Sequence, residues 1–578
     1  MIGRTFTRRA LMKCLPGVFL AAALAAGAPA AARTPEPTPV VARHGMVVAQ
    51  EARAARIGAD ILRNGGNAVD AAVATGFALA VTYPRAGNIG GGGFMVIHLA
   101  RGARNIAIDY RETAPAATTP DVFLDDRGEA DPEKSRNSGL AIGVPGTVAG
   151  LALAHRKYGS GKFTLARLIA PAIALAREGF VVDGDLADTL EGARRLFARW
   201  PSSAKVFLKG DGTSLQVGDR LVQADLADTL SAIAARGPDA FYRGPVAQRI
   251  AAAVRAAGGR MTADDLRTYR AVERRPVTGR YRGYDIVSMP PPSSGGVHLI
   301  EMLNILEGYP LGSLPPHGPE HAHLLVEAMK RAYADRAVYL GDPDFVAVPV
   351  ARLTSKAYAK RWRRTIDPAR AVPARSIRAG GALLREGDNT THFSVVDRFG
   401  NAVANTYTLN LSYGVGLVAD GTGVLLNNEL DDFAAKPDAP NAFGLVGGKA
   451  NAPGPRKRPL SSMTPTIVLR DGRPFLVTGS PGGSRIITAV LQVIVNVVDH
   501  GMDVAHAVAA PRLHHQWLPD TVFVEPGFPD ATLDALRARG HAINRRPAMT
   551  SANSILARRG GLAGAADART RGALAAGH

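Results

Sequence analysis

The chain has 578 residues, of which 46% are hydrophobic and 21% charged, so it can bury a large core and is not disordered. It carries 69 lysines and arginines against 50 acidic residues, a net charge of +19. These charges are spread along the sequence without a block of about five or six of one sign, which argues against a nucleic-acid-binding arm. A solvated basic surface explains the excess, with steering of an anionic ligand as the alternative.

Residues 1–32 are predicted to be an export signal. A basic segment, MIGRTFTRRALMK, precedes an apolar segment, LPGVFLAAALAAGA, and AAA at positions 30–32 is an A-x-A-like cleavage site. Arg8 and Arg9 resemble a twin-arginine signal. The single cysteine, Cys14, lies in this segment, so the exported chain has no disulfide, thiol nucleophile or cysteine metal site. We expect a periplasmic or secreted protein.

The first elements after this signal are predicted to be helical. Residues 51–82 have helical apolar spacing with a break at 64–67, and a glycine-rich turn at 90–93 leads into a buried strand at 94–99. Residues 160–270 are predicted to be mostly helical. A loop then enters a helix near Val297.

A second long helix is predicted for HAHLLVEAMKRAYADRAVYL. Residues 351–389 are rich in arginine and glycine and lose their periodicity, which predicts a mobile connector. After residue 390 the segments HFSVVD, AVANTYTLN, GVLLNN, TIVLRDGRPFLVTGS and VIVNVVD are typical of strands. A helix-rich first part followed by a sheet-rich last third favours a layered α+β core. No further apolar run is long enough for a membrane span.

Several common catalytic patterns are missing from the sequence. The glycines at 90–93 lack the Lys-Ser/Thr ending of a phosphate-binding loop, so close backbone packing is the better interpretation. There is no G-x-S-x-G elbow of a serine hydrolase and no H-E-x-x-H zinc motif. We therefore expect no metal and no nucleotide.

The remaining nucleophile candidate is in GDNTTHFSVVD, at residues 387–397. A threonine hydroxyl is a weak nucleophile unless a base lies beside it, and an α-amino group on the same residue is such a base. Thr390 would acquire that group if the chain were cut after Asn389. Taken alone, two adjacent threonines at a strand edge need no such explanation, because β-branched side chains suit strands.

The surrounding motifs raise this hypothesis. TTHFSVVDRFGNAVANTYTLN, GVLLNNELDDF, RPLSSMTPTIV and GSPGGSRI resemble the γ-glutamyltransferase (glutathione hydrolase) family. AGNIGGGGFMVIH, DYRETAP, GVPGTVAGL and PPPSSGGVHL match upstream in the same order, so the resemblance runs from about Arg43 to the C-terminal ADART. It implies an N-terminal-nucleophile hydrolase: an αββα sandwich made as one precursor, which cuts itself into intertwined subunits of residues 33–389 and 390–578.

The resemblance also implies roles for single residues. Thr390 is the expected nucleophile, and Thr408 matches a second threonine that hydrogen-bonds it. Gly482 and Gly483 match the pair whose backbone N–H groups stabilise the oxyanion. Phe443 lies in a predicted lid loop, where many bacterial members carry a tyrosine. The two charged ends of a γ-glutamyl group are expected to bind Arg111, Ser461 and Ser462 (carboxylate) and Asn410, Glu429 and Asp432 (ammonium).

The expected reaction transfers the γ-glutamyl group of glutathione or a related amide to Thr390 as an ester. Water then releases glutamate, or an amino acid or peptide accepts the group. The resemblance implies no cofactor, and its protein partner is the other subunit of the same precursor. Two alternatives stay open: an acylase for glutaryl-cephalosporin-type amides, whose substrate lacks the ammonium, and an uncut binding protein without catalysis.

The first testable prediction concerns maturation. A denaturing gel should show two chains, 33–389 and 390–578, the smaller beginning TTHFSV. Thr390→Ala should leave the chain uncut, because it removes the hydroxyl that attacks the preceding peptide bond. Cleavage at 389/390 in this variant would rule out self-cleavage by Thr390.

Overall fold

The structure is a computed structural model that describes residues 36–377, 390–437 and 439–578. The predicted export signal with Cys14, the end of the connector and Asn389 lie outside these ranges. The strands in the described ranges are β1 (Val40–Ala42), β2 (Met46–Ala49), β3 (Gly92–Leu99), β4 (Arg104–Tyr110), β5 (Phe180–Val181), β6 (Arg220–Leu221), β7 (Val272–Arg274), β8 (Val277–Tyr281), β9 (Tyr284–Ser288), β10 (Thr391–Val396), β11 (Ala402–Thr408), β12 (Val418–Ala419), β13 (Val424–Leu425), β14 (Thr466–Arg470), β15 (Arg473–Thr478), β16 (Leu513–His514), β17 (Val522–Val524), β18 (Ile543–Arg545), β19 (Asn553–Arg558), β20 (Gly561–Ala566) and β21 (Leu574–Gly577).

The helices connect and cover these strands. In the described ranges, none combines the length and the apolar character that crossing a bilayer requires. They are α1 (Ala52–Arg63), α2 (Ala68–Thr82), α3 (Pro132–Arg136), α4 (Thr147–Tyr158), α5 (Leu165–Glu178), α6 (Gly184–Phe197), α7 (Pro201–Phe207), α8 (Ala224–Arg236), α9 (Asp239–Tyr242), α10 (Pro245–Ala256), α11 (Ala263–Thr268), α12 (Gly295–Leu306), α13 (Pro319–Tyr339), α14 (Val350–Leu353), α15 (Lys356–Arg363), α16 (Ile486–Val498), α17 (Val504–Ala509) and α18 (Asp530–Ala538).

Two antiparallel sheets of seven strands form the centre of the molecule. The first sheet has the order β1-β20-β19-β15-β14-β9-β8, and the second has the order β21-β2-β10-β11-β3-β4-β7. Each sheet combines strands from before and after residue 390. In the second sheet, the β10–β11 hairpin lies between β2 and β3 and pairs with both.

The core has three apolar layers, which follow from the alternation of side chains along each strand. On β3, Phe94 and Val96 point into the layer between the two sheets. Met95 and Ile97 point the other way and join the layer under helices α1, α2 and α4. The third layer lies between the first sheet and helices α12, α13 and α16. This arrangement confirms the predicted αββα sandwich.

The glycine run before β3 is confirmed as a site of close backbone packing. A Cβ on Gly93 would lie 2.4 Å from the carbonyl oxygen of Thr406, and a Cβ on Gly91 would lie 2.1 Å from that of Thr408. Both carbonyls belong to β11. Glycine is therefore required here because a neighbouring strand occupies the space of a side chain.

Two sequence predictions differ from the structure. VIVNVVD, predicted as a strand, belongs to helix α16, whose residues 486–497 are all buried. The stretch 493–499 is a short apolar run rich in β-branched valine and isoleucine, and periodicity alone does not separate such a run from a buried strand. The predicted connector contains helices α14 and α15 before residue 377. The chain is helix-rich before residue 390 and sheet-rich after it, as predicted, and the part before residue 390 also supplies strands to both sheets.

The packing of the glycine run generates a stability prediction. Gly93→Ala should destabilise the protein by about 1–3 kcal/mol or more, because the added methyl group meets backbone that cannot move aside. The measurement is the thermal unfolding midpoint, with the yield of soluble protein beside it. Gly210→Ala is the matched control, since a Cβ there meets nothing within 4 Å, and it should change stability by no more than about 0.5 kcal/mol. Equal midpoints for the two variants would contradict the packing argument.

Candidate active site

Thr390 lies directly before β10 and is 6% exposed. Thr391 pairs with Tyr407 in the antiparallel ladder, so the register continued by one step places Thr390 opposite Thr408. The hydroxyl oxygen of Thr408 accepts the N–H of Asn410 at 2.8 Å. A hydroxyl that accepts from the backbone keeps its proton for donation, and this geometry suits the predicted role of Thr408 beside the nucleophile.

The two predicted oxyanion glycines lie in the turn between β15 and α16. Gly482 and Gly483 have φ angles of 127° and 53°, which non-glycine residues rarely adopt. Gly483 opens a 3-10 turn, Gly483–Arg485, that leads straight into α16. Backbone N–H groups at the start of a helix are not used within it and carry partial positive charge. They can therefore stabilise a developing oxyanion.

Arg111 follows β4 and is completely buried. Its guanidinium forms ion pairs with Glu429 and with Asp432, the latter at 2.6 Å, and donates to the carbonyl oxygen of Pro459 at 3.1 Å. The residues predicted to hold a ligand's carboxylate and ammonium thus pair with each other across one cavity. They form a charge-complementary site for a molecule that carries both groups.

The acids of this site have perturbed ionisation. Burial raises the pKa of Glu429 to about 8 and also raises the pKa of Asp432, although Arg111 opposes both shifts. Glu112, which sequence reasoning missed despite its position beside Arg111, is fully buried with an oxygen 4.0 Å from the guanidinium. Burial and the neighbouring Glu429 raise the pKa of Glu112 well above its usual range. An additional cation would favour ionisation of these acids.

Ser461 and Ser462 line the same cavity as two hydroxyl donors. The oxygen of Ser461 accepts the N–H of Met463 at 3.1 Å, and the oxygen of Ser462 accepts from the guanidinium of Arg336 at 3.2 Å. Since both oxygens accept from the protein, both protons can be donated to a ligand. Arg336 is the second residue that sequence reasoning missed, because it lies far from Ser462 in the chain.

The predicted lid loop contacts the cavity through one aromatic and two polar interactions. The ring of Phe443 packs on Gly483, where a Cβ would lie 2.3 Å from the ring. Asn441 donates to Asp432 at 2.9 Å, and Gln516 donates to the carbonyl oxygen of Phe443 at 3.1 Å. Hydrogen bonds from neighbours therefore hold the lid although Phe443 lacks the hydroxyl of a tyrosine.

The structure brings ten of the predicted residues around one cavity. These residues are Arg111, Thr390, Thr408, Asn410, Glu429, Asp432, Phe443, Ser461, Ser462 and Gly483. The other oxyanion glycine, Gly482, lines a second cavity of about 220 Å³ together with Thr390. Thr390 thus lies between two cavities. Asn389, the remaining predicted residue, is outside the described ranges.

A separate cluster has the composition of a metal site. Ligand atoms of His323, Glu327 and His541 lie within 4.8 Å of one another. However, Glu327 already pairs with Lys330 and Arg331, and His323 is hydrogen-bonded to His541 at 2.8 Å. Two cations on the one carboxylate oppose the binding of a third, so this cluster is better described as a buried ionic network.

The fold and the site together define a class of protein. Two antiparallel sheets between helical layers, with a threonine at the start of an interior strand beside a glycine pair, are the architecture of an N-terminal-nucleophile hydrolase. The family model for gamma-glutamyltranspeptidase matches residues 54–577. The chain belongs to this family.

Similar proteins agree with this membership. The chain is 52% identical over 584 residues to a glutathione hydrolase proenzyme of Escherichia coli strain K12, with 100% of both sequences covered. It is 41% identical over 531 residues to an acylase ACY 1 proenzyme of Pseudomonas sp. strain SE83, covering 91% of each. The crystal structure of a cephalosporin acylase from Bacillus halodurans superposes with a TM-score of 0.83 at 28% identity, covering 95% of this chain and 99% of that one.

The ion pairs of Arg111 generate a prediction about stability and pH. Arg111→Gln should lower stability by about 3–5 kcal/mol, because it leaves Glu429 and Asp432 buried without their cation. The loss should be larger at pH 8 than at pH 5. Arg111 lowers the pKa values of both acids in the folded protein, so its removal raises them further above the unfolded values. The folded variant then holds protons that the unchanged protein has released, and its loss of stability grows as the pH rises.

Thermal midpoints at the two pH values measure this effect. Arg361→Gln, which changes an exposed arginine on α15, is the control and should show no such difference. A loss of equal size at both pH values would mean that Arg111 does not lower the pKa values of these acids in the folded protein.

Proposed function

We propose that this protein is a γ-glutamyltransferase and glutathione hydrolase that cuts its own chain before Thr390. One observation carries the proposal: a single cavity beside Thr390 presents a guanidinium and two serine hydroxyls together with two carboxylates. This is the complement of an α-amino acid group. The identity to relatives named glutathione hydrolase proenzyme supports the same substrate and the same maturation.

Maturation begins with the hydroxyl of Thr390. Its oxygen attacks the carbonyl carbon of Asn389, the C–N bond breaks, and the acyl group moves to the hydroxyl oxygen while the proton goes to the nitrogen. Water then cleaves the ester, leaving a carboxylate on Asn389 and an α-amino group on Thr390. Asn389 lies outside the described residues, so the support comes from the sequence and from the proenzyme relatives.

Substrate binding exchanges ion pairs rather than creating unpaired charges. The cavity beside Thr390 has about 20 Å³ of open space, and Arg111 is paired with both acids there, so we propose that Arg111 turns away from the acids as a γ-glutamyl group enters. The substrate carboxylate then pairs with Arg111, Ser461 and Ser462, and the ammonium takes the place of the guanidinium on Glu429 and Asp432. Each buried charge keeps a partner, which avoids a large desolvation cost.

The chemical step uses the α-amino group of Thr390 as the base. An α-amino group has a pKa of about 7.7–8.0 and can take the hydroxyl proton near neutral pH. The oxygen of Thr390 attacks the γ-carbonyl carbon, and the N–H groups of Gly482 and Gly483 stabilise the oxyanion, each contributing about 3–4 kcal/mol. The ammonium then protonates the leaving amine, and a γ-glutamyl ester remains on Thr390.

The second cavity fits the departing and incoming amines. Thr390 and Gly482 form its boundary with the binding cavity, and Tyr83, Arg85 and Arg569 also line it. When the γ-carbonyl carbon lies at Thr390 and the γ-glutamyl group fills the first cavity, the leaving amine points into the second cavity. Water or an acceptor amine entering from this side completes hydrolysis or transfer.

An acylase for glutaryl-type amides is the second candidate, because one close relative is named as an acylase. A glutaryl group carries the distal carboxylate but no ammonium. Glu429 and Asp432 would then have no ligand partner once Arg111 had turned to the carboxylate. Two unpaired buried carboxylates are costly, which favours the γ-glutamyl substrate.

Export and subunit composition complete the proposal. The basic and apolar segments of residues 1–32 support secretion to the periplasm or beyond. The mature protein is a heterodimer of residues 33–389 and 390–578. N-terminal sequencing of both chains tests the export cleavage and the self-cleavage at once.

The deciding experiment compares two anilides that differ only in the ammonium. The protein should hydrolyse a γ-glutamyl anilide faster than the matching glutaryl anilide. Asp432→Asn should lower kcat/KM for the γ-glutamyl compound by about 10- to 100-fold, the expected effect of losing a charged hydrogen bond, and should affect the glutaryl compound much less.

Asp420→Asn changes an exposed acid and serves as the matched control, with both rates expected to stay unchanged. Faster cleavage of the glutaryl anilide would assign the protein to the acylases. A processed protein that cleaves neither compound would contradict both functions.

A further inference from the structure

Arg336 is a buried arginine in the last turn of α13, 5% exposed. Its Nε donates to the hydroxyl of Ser294 at 3.0 Å and a terminal nitrogen donates to that of Ser462 at 3.2 Å. Within the described ranges, no carboxylate oxygen lies within the 4.0 Å of an ion pair. These two hydrogen bonds go to neutral hydroxyl groups and do not neutralise the charge.

Other buried arginines of this chain are neutralised differently. Arg111 pairs with two acids, Arg331 pairs with Glu327 and Arg512 pairs with Asp567. A buried cation without such a partner is costly to keep. Burial lowers the pKa of Arg336, Asp432 and Tyr333 raise it, and Arg111 lowers it further, so two of the three groups that act on its charge line the binding cavity.

The hydrogen bonds of Arg336 also fix the direction of two hydroxyl groups. A guanidinium can only donate, so the oxygens of Ser294 and Ser462 must accept from it. The proton of Ser294 goes to the carbonyl oxygen of Ser461 at 2.7 Å. The proton of Ser462 must point away from Arg336, and Ser462 lines the binding cavity.

The charges of an occupied site also involve this arginine. A γ-glutamyl group brings one carboxylate and one ammonium into the cavity where Arg111 faces Glu429 and Asp432. Arg336, hydrogen-bonded to Ser462, adds a positive charge directly behind one of the hydroxyls that line this cavity.

We infer that Arg336 is a positioning residue that presents the hydroxyl of Ser462 to the substrate's α-carboxylate and whose charge selects substrates carrying that carboxylate. This inference rests on the proposed γ-glutamyl function. Arg336 does not itself line the cavity. It nevertheless contributes to the discrimination between substrates with a charged and with a neutral α-substituent. The guanidinium is separated from the ligand by the hydroxyl of Ser462. It acts by orienting that hydroxyl and by the attraction of its positive charge for the ligand's carboxylate, which is strong in a poorly solvated site.

The test uses γ-glutamyl anilide and its α-carboxamide analogue, in which the carboxylate charge is removed. Arg336→Gln should raise KM for the acid about tenfold and change kcat by less than about threefold, so the acid-to-amide ratio of kcat/KM falls about tenfold. Arg336→Lys keeps the charge and should keep this ratio within about threefold of the unchanged protein. Arg361→Gln, on the protein surface, is the matched control.

The kinetics of these variants distinguish a positioning role of Arg336 from a merely structural one. If Arg336→Gln lowers turnover of acid and amide by the same factor, Arg336 is only structural and the inference is wrong. If that variant does not mature on a denaturing gel, the lysine variant carries the test, and a tenfold fall in its ratio overturns the role of charge. Failure of the unchanged protein to cleave γ-glutamyl anilide would instead overturn the proposed function.

Discussion

The antiparallel pairing of β10 with β11 is the constraint on which the site depends. This hairpin is inserted between β2 and β3, in the interior of the second sheet. Its register places Thr390 opposite Thr408 at the end of the ladder, and the glycines of β3 allow the neighbouring strand to approach. A strand with partners on both sides cannot shift by one residue without turning its apolar side chains from one core layer to the other. The position of Thr390 is therefore set by the whole sheet.

The second organising principle is the pairing of buried charges. Arg111, Glu429 and Asp432 come from segments that are distant in the chain and meet in one enclosed cavity. A site of this kind has little tolerance for a ligand with only one charge, because such a ligand leaves part of the network unpaired. Recognition of both charged groups thus follows from the cost of burial, and not only from the number of hydrogen bonds.

The sequence predicts the αββα class and most of the cavity, because the site motifs are contiguous stretches such as DYRETAP and PLSSM that keep their order. It does not predict α16 as a helix, since a fully buried helix and a buried strand share the same apolar composition. The mixing of strands from both parts of the chain depends on pairing between distant segments. Arg336 is not predicted as a site residue for a similar reason. Its role depends on contacts with Ser294 and Ser462, which are distant in the chain and meet it only in the folded protein.

Asp432 connects the lid to the binding site through its two oxygens. One oxygen pairs with Arg111 and the other accepts from Asn441 of the lid loop. If a ligand ammonium takes the place of the guanidinium, as proposed above, the bond to Asn441 remains available. Closure of the predicted lid loop and retention of the ligand would then share one carboxylate and be thermodynamically linked, each favouring the other by the same free energy. Slower dissociation of the ligand would accompany a more ordered loop. The residence time of an inhibitor would therefore also report how far the predicted lid loop is ordered.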